Sequence, residues 1–307
     1  MFSFNRSQEK ARIGDVTFGG QPGENPTVCL GTLFYGKKWG RLDDKKLAEA
    51  SRLVHELDKL SERYSVPAVV DLYVGEEDAG EKIGFIAEKT QKPFAIDASS
   101  PEARSNALKH AGELGLLDRV IYNSLNVGLT QDEYEALRDD TPKAAILLAY
   151  NPKDLSVDGR LKILKDGAGM VLDGSRGLIE LAEEIGASRL VDTAATPFGQ
   201  KPGETLRALM VVKNNYGLPA GCALHNTLES WDFMKKDRLK NQAGYSHASA
   251  SANTLIPAYS GDFTVFGSIE SMKKIIPAVS FTDMMLGEAA REYFGIKPSK
   301  KHPLNNL

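Results

Sequence analysis

Four short stretches hold the side chains best placed by type and spacing to do chemistry: Ala95–Ser99 (AIDAS), Ile121–Ser124 (IYNS), Leu190–Thr193 (LVDT) and Ala223–Asn226 (ALHN). Each is an apolar run cut by Asp97, Asn123, Asp192 or Asn226, and each precedes a stretch able to start a helix. A buried parallel strand has this near-continuous apolar pattern. In a barrel of alternating strands and helices, residues at the carboxyl ends of strands meet in one mouth. Two carboxylates and two carboxamides are therefore expected to converge. An ionised Asp only accepts hydrogen bonds, whereas Asn donates and accepts. A carboxylate opposite adjacent ring N–H and exocyclic NH2 groups makes a paired, charge-assisted contact. Pterins and guanines present such an edge, and carboxamides suit the mixed donors and acceptors elsewhere on the ring. The set holds no strong nucleophile and no obvious general base. It suits positioning a ring and tuning one of its nitrogens rather than hydrolysis. Taken singly, each residue also reads as a helix cap or a strand-end partner for the backbone; four on one rim argue for a site.

Eight strand–helix units are needed to position such a rim, and the chain supplies them. Strands are predicted at Thr27–Tyr35, Pro67–Val74, Pro93–Asp97, Arg119–Asn123, Ala144–Tyr150, Arg189–Asp192, Ala220–Leu224 and Phe263–Phe266. Between Asp43 and Tyr64, Leu47, Ala50, Leu53, Val54, Leu57 and Leu60 recur at helical spacing. Further helices are expected at Ala79–Lys89, after Ser99 or Ser100 with Pro101 at the first position, and after Thr130, where Glu133 completes a capping-box pattern. Others are placed at Ser175–Ile185, Gly203–Asn215, Leu228–Lys240, His247–Leu255 and Glu270–Tyr293, with Asn151–Asp173 a long connection. Arg12–Gly20 alternates like a hairpin and is read as a plug over the bottom of the barrel. The order fits a single (β/α)8 barrel over residues 1–307. No Gly-rich dinucleotide fingerprint follows the first strand, which argues against a doubly wound sheet.

The totals exclude several classes. The 307 residues are 42% hydrophobic and 26% charged with a net charge of -3, so no global basic field exists to hold nucleic acid. The start, Met1–Arg6, lacks an apolar leader, and no run approaches the ~18 apolar residues of a membrane helix. A cytoplasmic location is expected. The two cysteines, Cys29 and Cys222, make no disulfide framework.

Weaker candidates rank below the rim. Cys222 and His225 have metal-like spacing but lack a third ligand, so no bound metal is expected. Gly167–Gly169 and Asp173–Ser175 resemble an anion cradle, with a loop the blander reading. The basic run Lys235–Lys240 suits a partner protein or an acidic tail, with a solvated helix face the preferred reading.

The combination of local motifs is specific. Phe18–Glu24 (FGGQPGE), Ile121–Asn126 (IYNSLN), Val191–Pro197 (VDTAATP), Leu218–Gly221 (LPAG), His225–Asn226, Ser260–Phe263 (SGDF) and His302–Asn305 (HPLN) span essentially the whole chain. In this it resembles the H subunit of archaeal tetrahydromethanopterin S-methyltransferase and its bacterial relatives, the methylcobamide:tetrahydrofolate methyltransferases of betaine demethylation. The resemblance implies a pterin-binding barrel in which Asp97, Asn123, Asp192 and Asn226 hold the pterin. Asp97 and Asp192 share its donor edge and N8 side, in either order. Asn226 sits beside N5, with Asn226 and Asp192 the catalytic pair. It implies methyl transfer between methylcobalamin and N5 of tetrahydrofolate, giving 5-methyltetrahydrofolate, in a glycine betaine or related methylamine route. The alternatives are a tetrahydromethanopterin-specific subunit of an archaeal complex and a non-catalytic pterin-binding subunit. The chain lacks the Asp-x-His-x-x-Gly corrinoid motif, so a separate corrinoid protein is implied as partner; that protein or the folate glutamate tail is what Lys235–Lys240 would meet. A homodimer is a further expectation from the resemblance.

Overall fold

The computed structural model describes residues 3–306; Met1 and Phe2, part of the stretch read for a leader, and Leu307 lie outside them. An antiparallel hairpin opens the chain, β1 (Lys10–Ile13) and β2 (Val16–Gly19). The alternation then begins: β3 (Val28–Leu33), α1 (Asp44–Tyr64), β4 (Ala68–Tyr73), α2 (Ala79–Lys89), β5 (Phe94–Asp97), α3 (Pro101–Glu113), β6 (Val120–Leu125), α4 (Gln131–Asp139) and β7 (Ala144–Leu148). It continues with α5 (Val157–Asp166), α6 (Leu178–Ile185), β8 (Ser188–Asp192), α7 (Gly203–Tyr216), β9 (Ala220–Cys222), α8 (Leu224–Glu229), α9 (Asp232–Asp237), α10 (Gln242–Ala258), β10 (Phe263–Ser268) and α11 (Met272–Phe294). Strands β3 to β10 form a closed parallel barrel in sequence order, with β10 pairing back to β3. This is the (β/α)8 architecture expected from the strand–helix count.

Helix starts follow the capping residues. The Asp43 carboxylate accepts from the Lys46 N–H, and the Ser100 hydroxyl accepts from Ala103 N–H with Pro101 in the first turn. Thr130 accepts from Glu133 N–H, but Glu133 does not reach back to close a capping box. Its carboxylate turns inward to Arg104 and Tyr122 instead.

Three expectations are corrected. The supposed connection Asn151–Asp173 contains α5, capped by the Ser156 hydroxyl on Gly159 N–H. Gly159 in its first turn obscured the helical pattern, and packing requires it: a Cβ there would lie 2.0 Å from the Asp154 carbonyl oxygen. The seventh barrel strand stops at Cys222 rather than running to Leu224. Residues 224–229 coil into α8, burying Leu224 and Leu228 one turn apart. The helices expected at Leu228–Lys240 and His247–Leu255 are accordingly α9 and the longer α10.

Strand alternation divides the core. Outward residues such as Phe94, Ile96, Tyr122, Leu147 and Val191 pack under the helices. Inward residues Val28, Leu30, Val69, Ala95, Ile121, Ala144, Ile146, Leu190, Phe263 and Val265 fill the barrel together with Ala11, Ile13, Val16 and Phe18 of the hairpin. The hairpin closes the amino-terminal end: Glu9 N–H donates to the Gly217 carbonyl, and Gly14 abuts Pro93, just before β5. The plug reading holds.

Candidate functional site at the carboxyl-terminal mouth

Side chains alternate along a strand, so the inward residue two positions past each apolar layer belongs to the next layer. Past Leu30 comes Thr32; past Val69, Asp71; past Ala95, Asp97; past Ile121, Asn123; past Ile146, Leu148; and past Leu190, Asp192. The apolar fill thus gives way to a polar layer at the carboxyl ends of the strands. Asp97 and Asn123 are register partners on β5 and β6, and Leu148 and Asp192 on β7 and β8. The structure therefore brings Asp97 and Asn123 together, with Asp192 ending another strand of the same rim. Strand β6 carries a register shift between Asn123 and Leu125, an irregularity of the kind that re-aims side chains at sites.

Asp71 was missed by the sequence reasoning. It is 1% exposed; its Oδ2 accepts from the Thr32 hydroxyl at 2.8 Å and its Oδ1 from Asn123 Nδ2 at 3.2 Å. The signal was available, since an Asp interrupts the run Ala68–Tyr73 on the inward parity. It was overlooked because it does not end its strand.

The carboxyl groups are held in their neutral-leaning range. Burial pushes Asp97 up to about 8, with the nearby Asp71 carboxyl adding to the rise, while the Arg104 charge and the Ala98 N–H oppose it. Burial also raises Asp192 to about 7, against the Ala194 N–H and the Arg160 charge. Asp192 Oδ1 accepts from Ala194 N–H at 2.7 Å, which leaves Oδ2 for the mouth. Both groups sit where a ligand's N–H donors would restore the ionised form.

Two buried arginines support the rim from outside. Arg104 of α3 donates to Glu133 at 2.8 Å and to the carbonyl of Ala98, the residue after Asp97, at 2.9 Å. Arg160 of α5 donates to the carbonyls of Thr193 and Ala194, the residues after Asp192, and to the Thr205 hydroxyl. It helps hold Ala194 in the left-handed region at φ 61.

Asn226 is placed differently from the expectation. It lies in the first turn of α8, exposed, and does not end a strand. The physical reason is the early stop of β9: Leu224 and Leu228 need a helix to face the same side. Thr227 and Ser230 tie α8 to the loop after β8 through Thr196 and Phe198, so Asn226 stays beside the loop that follows Asp192. His225 Nδ1 bonds the Val265 carbonyl at 2.8 Å, and Cys222 is buried. Among the described residues, no group of three or more His, Cys, Asp or Glu is placed to hold a metal ion. The glycine-rich segments are not open anion cradles: Asp166 takes the Ala168 N–H and Asp173 takes the Ser175 N–H. In the basic run, Lys235 and Arg238 pair with Asp232 and Glu229 on a solvated face. Among the described residues no helix is long and apolar enough to cross a membrane.

Fold and rim together define a (β/α)8 barrel with a carboxylate–carboxamide layer at its carboxyl-terminal mouth. Solved structures share the barrel. Dihydropteroate synthase from Vibrio fischeri superposes with a TM-score of 0.60 at 12% identity, over 91% of this chain and 98% of that one. The Yersinia pestis enzyme gives 0.59 at 10%, over 91% and 99%.

Residues 6–299 match the family model described as tetrahydromethanopterin S-methyltransferase MtrH subunit, and the chain belongs to this methyltransferase family. Among relatives, the H subunit of tetrahydromethanopterin S-methyltransferase from Methanothermobacter thermautotrophicus is 35% identical over 316 residues. That of Methanosarcina acetivorans is 37% identical over 319, and the H subunit of the same organism's putative methyltransferase mtx is 34% identical over 313. All three alignments cover 100% of both chains.

Proposed function

We propose that this protein binds a reduced pterin in the mouth and transfers a methyl group between its N5 and the cobalt of a corrinoid carried by a separate partner protein. The observation that carries the reading is the inward layer of Asp97, Asn123 and Asp192, where the half-buried Asp97 and the buried Asp192, both with raised pKa values, share one rim with a carboxamide. A reduced pterin offers a 2-amino group and ring N–H groups, the donors such carboxylates lack. Asp97 and Asp192 accept from those donors, Asn123 makes a further ring contact, and Asn226 stands beside N5 on an exposed turn that leaves room for the partner.

The chemistry is a displacement. In one direction the N5 lone pair forms the N–C bond, the Co–C bond breaks with both electrons on cobalt, and the N5 proton leaves to solvent. The reverse direction needs a proton or hydrogen bond on N5. An Asn carboxamide can donate to N5 or accept from N5–H, so Asn226 serves both. Most of the acceleration then comes from positioning and exclusion of water.

The names of the relatives favour tetrahydromethanopterin over tetrahydrofolate as the pterin, and give no support to a betaine route. They also favour work within an assembly of subunits. Calorimetric titration with each pterin tests the reading. Tighter binding of tetrahydromethanopterin is expected, with Asp97→Asn and Asp192→Asn each weakening it about 10- to 100-fold, the worth of a charge-assisted hydrogen bond. Binding of neither pterin would contradict it.

A further inference from the structure

Asp71 has both carboxyl oxygens committed and is almost wholly enclosed, so it offers nothing directly to a ligand. Its two bonds run to Thr32 on the preceding strand and, across the barrel interior, to Asn123 two strands away. We propose that Asp71 is a positioning residue that sets the orientation of the Asn123 carboxamide and thereby makes the site select a reduced ring. The inference rests on the pterin reading above.

The two ends of a carboxamide have nearly the same shape and opposite hydrogen-bonding character. An ionised carboxylate tolerates only the N–H end. With Nδ2 donated to Asp71, the Asn123 oxygen is turned away from Asp71 and is offered as an acceptor. Thr32 holds the other Asp71 oxygen at 2.8 Å, so the carboxylate cannot swing aside and release the amide. Burial raises the Asp71 pKa, and both bonds oppose that rise by favouring the ionised form. The consequence is chemical selection. A tetrahydropterin carries N–H donors at N5 and N8, whereas the fully oxidised ring carries bare acceptor nitrogens there. An acceptor fixed at Asn123 meets the first and repels the second.

The test compares binding of a tetrahydropterin and its fully oxidised form by calorimetry in four proteins: wild type, Asp71→Asn, Asn123→Asp, and the double variant. The wild type should prefer the reduced ring by tenfold or more. Asp71→Asn should erase most of that preference, because the amide so introduced can face either end of the Asn123 carboxamide. The double variant should restore it: the new amide donates to the new carboxylate, whose other oxygen remains an acceptor. A merely structural role would give no such rescue. An unchanged reduced-to-oxidised ratio in Asp71→Asn overturns the proposal. So does failure of the double variant to recover while its melting temperature matches the wild type. The ligand-free protein gives a separate arm. In its 1H–15N spectrum one Nδ2 proton of Asn123 should be shifted downfield and should return in Asp71→Asn; no change overturns the orientation claim. Absence of binding by the wild type, with that amide signature present, overturns the pterin reading while leaving the orientation of Asn123 standing.

Discussion

Arg160 and Thr193 are joined inside the protein: the guanidinium Nε donates to the Thr193 carbonyl at 2.8 Å. Arg160 is 1% exposed and forms no ion pair among the described residues; its remaining donors go to Leu155, Ala194 and Thr205. A cation so enclosed is costly unless its donors are matched. Here they are matched by three backbone carbonyls and the Thr205 hydroxyl, and the carbonyls of Thr193 and Ala194 begin the loop after Asp192. Arg160→Lys keeps the charge and loses the planar fork. It should destabilise the fold by about 2–4 kcal/mol, since each stranded buried carbonyl costs about 1–3 kcal/mol. Urea unfolding measures this. Arg160→Met should in addition raise the Asp192 pKa beyond about 7, because the charge that opposes burial is gone.

The Asp97 carboxyl imposes a pH dependence whose sign follows from its raised pKa. Its ordinary value is 3.8 and its folded value about 8, set by burial and Asp71 against Arg104 and the Ala98 N–H. The folded state thus holds the proton more tightly than the unfolded one. The stability gained from protonation is complete below about pH 4 and is lost as pH rises through about 8. Relative to Asp97→Asn, a permanently uncharged analogue, the ligand-free wild type should melt at progressively lower temperature over that window. Pterin binding needs the ionised carboxylate, so affinity should rise over the same window. Asp71→Asn removes the neighbouring carboxyl and should move the inflection to lower pH.

His302 shows the opposite sign. It is wholly enclosed against Gly287 of α11, and burial pushes its pKa down to about 4 from an ordinary 6.5. Its Nδ1 accepts from Leu304 N–H, while Nε2 has no partner among the described residues. A depressed histidine contributes stability that is present above 6.5 and lost as pH falls through about 4. The protection of residues 299–306 against hydrogen exchange, relative to the intrinsic rate at each pH, should therefore fall as pH is lowered across that range, and His302→Phe should flatten the change.

Asn226 should separate binding from turnover. Its carboxamide is exposed on α8 and takes no partner among the described residues, so truncation leaves none of them unsatisfied. Asn226→Ala should lower methyl transfer by about 100-fold, the worth of one positioned polar group, while pterin affinity changes little. Equal losses in both would make Asn226 a binding residue only.

The barrel was legible because its signals are local and repeated. Apolar runs and the caps at Ser100 and Thr130 each specify one element. Asp97, Asn123 and Asp192 were legible because each lies at or near the carboxyl end of its strand on the inward parity. Asp71 was not, since its importance comes from pairing with Asn123, a contact 52 positions away. Arg160 was hidden in a stretch whose Gly159 breaks the helical pattern and whose function is to hold backbone rather than to pair with a carboxylate. Asn226 was assigned to the right end of the barrel and the wrong element, because Ala223–Asn226 reads equally as a strand end or a first helical turn.

Methyl transfer at a pterin held by this rim is read out by following methylcobalamin absorbance with the purified protein and either tetrahydromethanopterin or tetrahydrofolate. Pterin-dependent demethylation is expected, faster with tetrahydromethanopterin and lost in Asp192→Asn. No pterin-dependent loss of methylcobalamin, with the corrinoid partner also supplied, would contradict it.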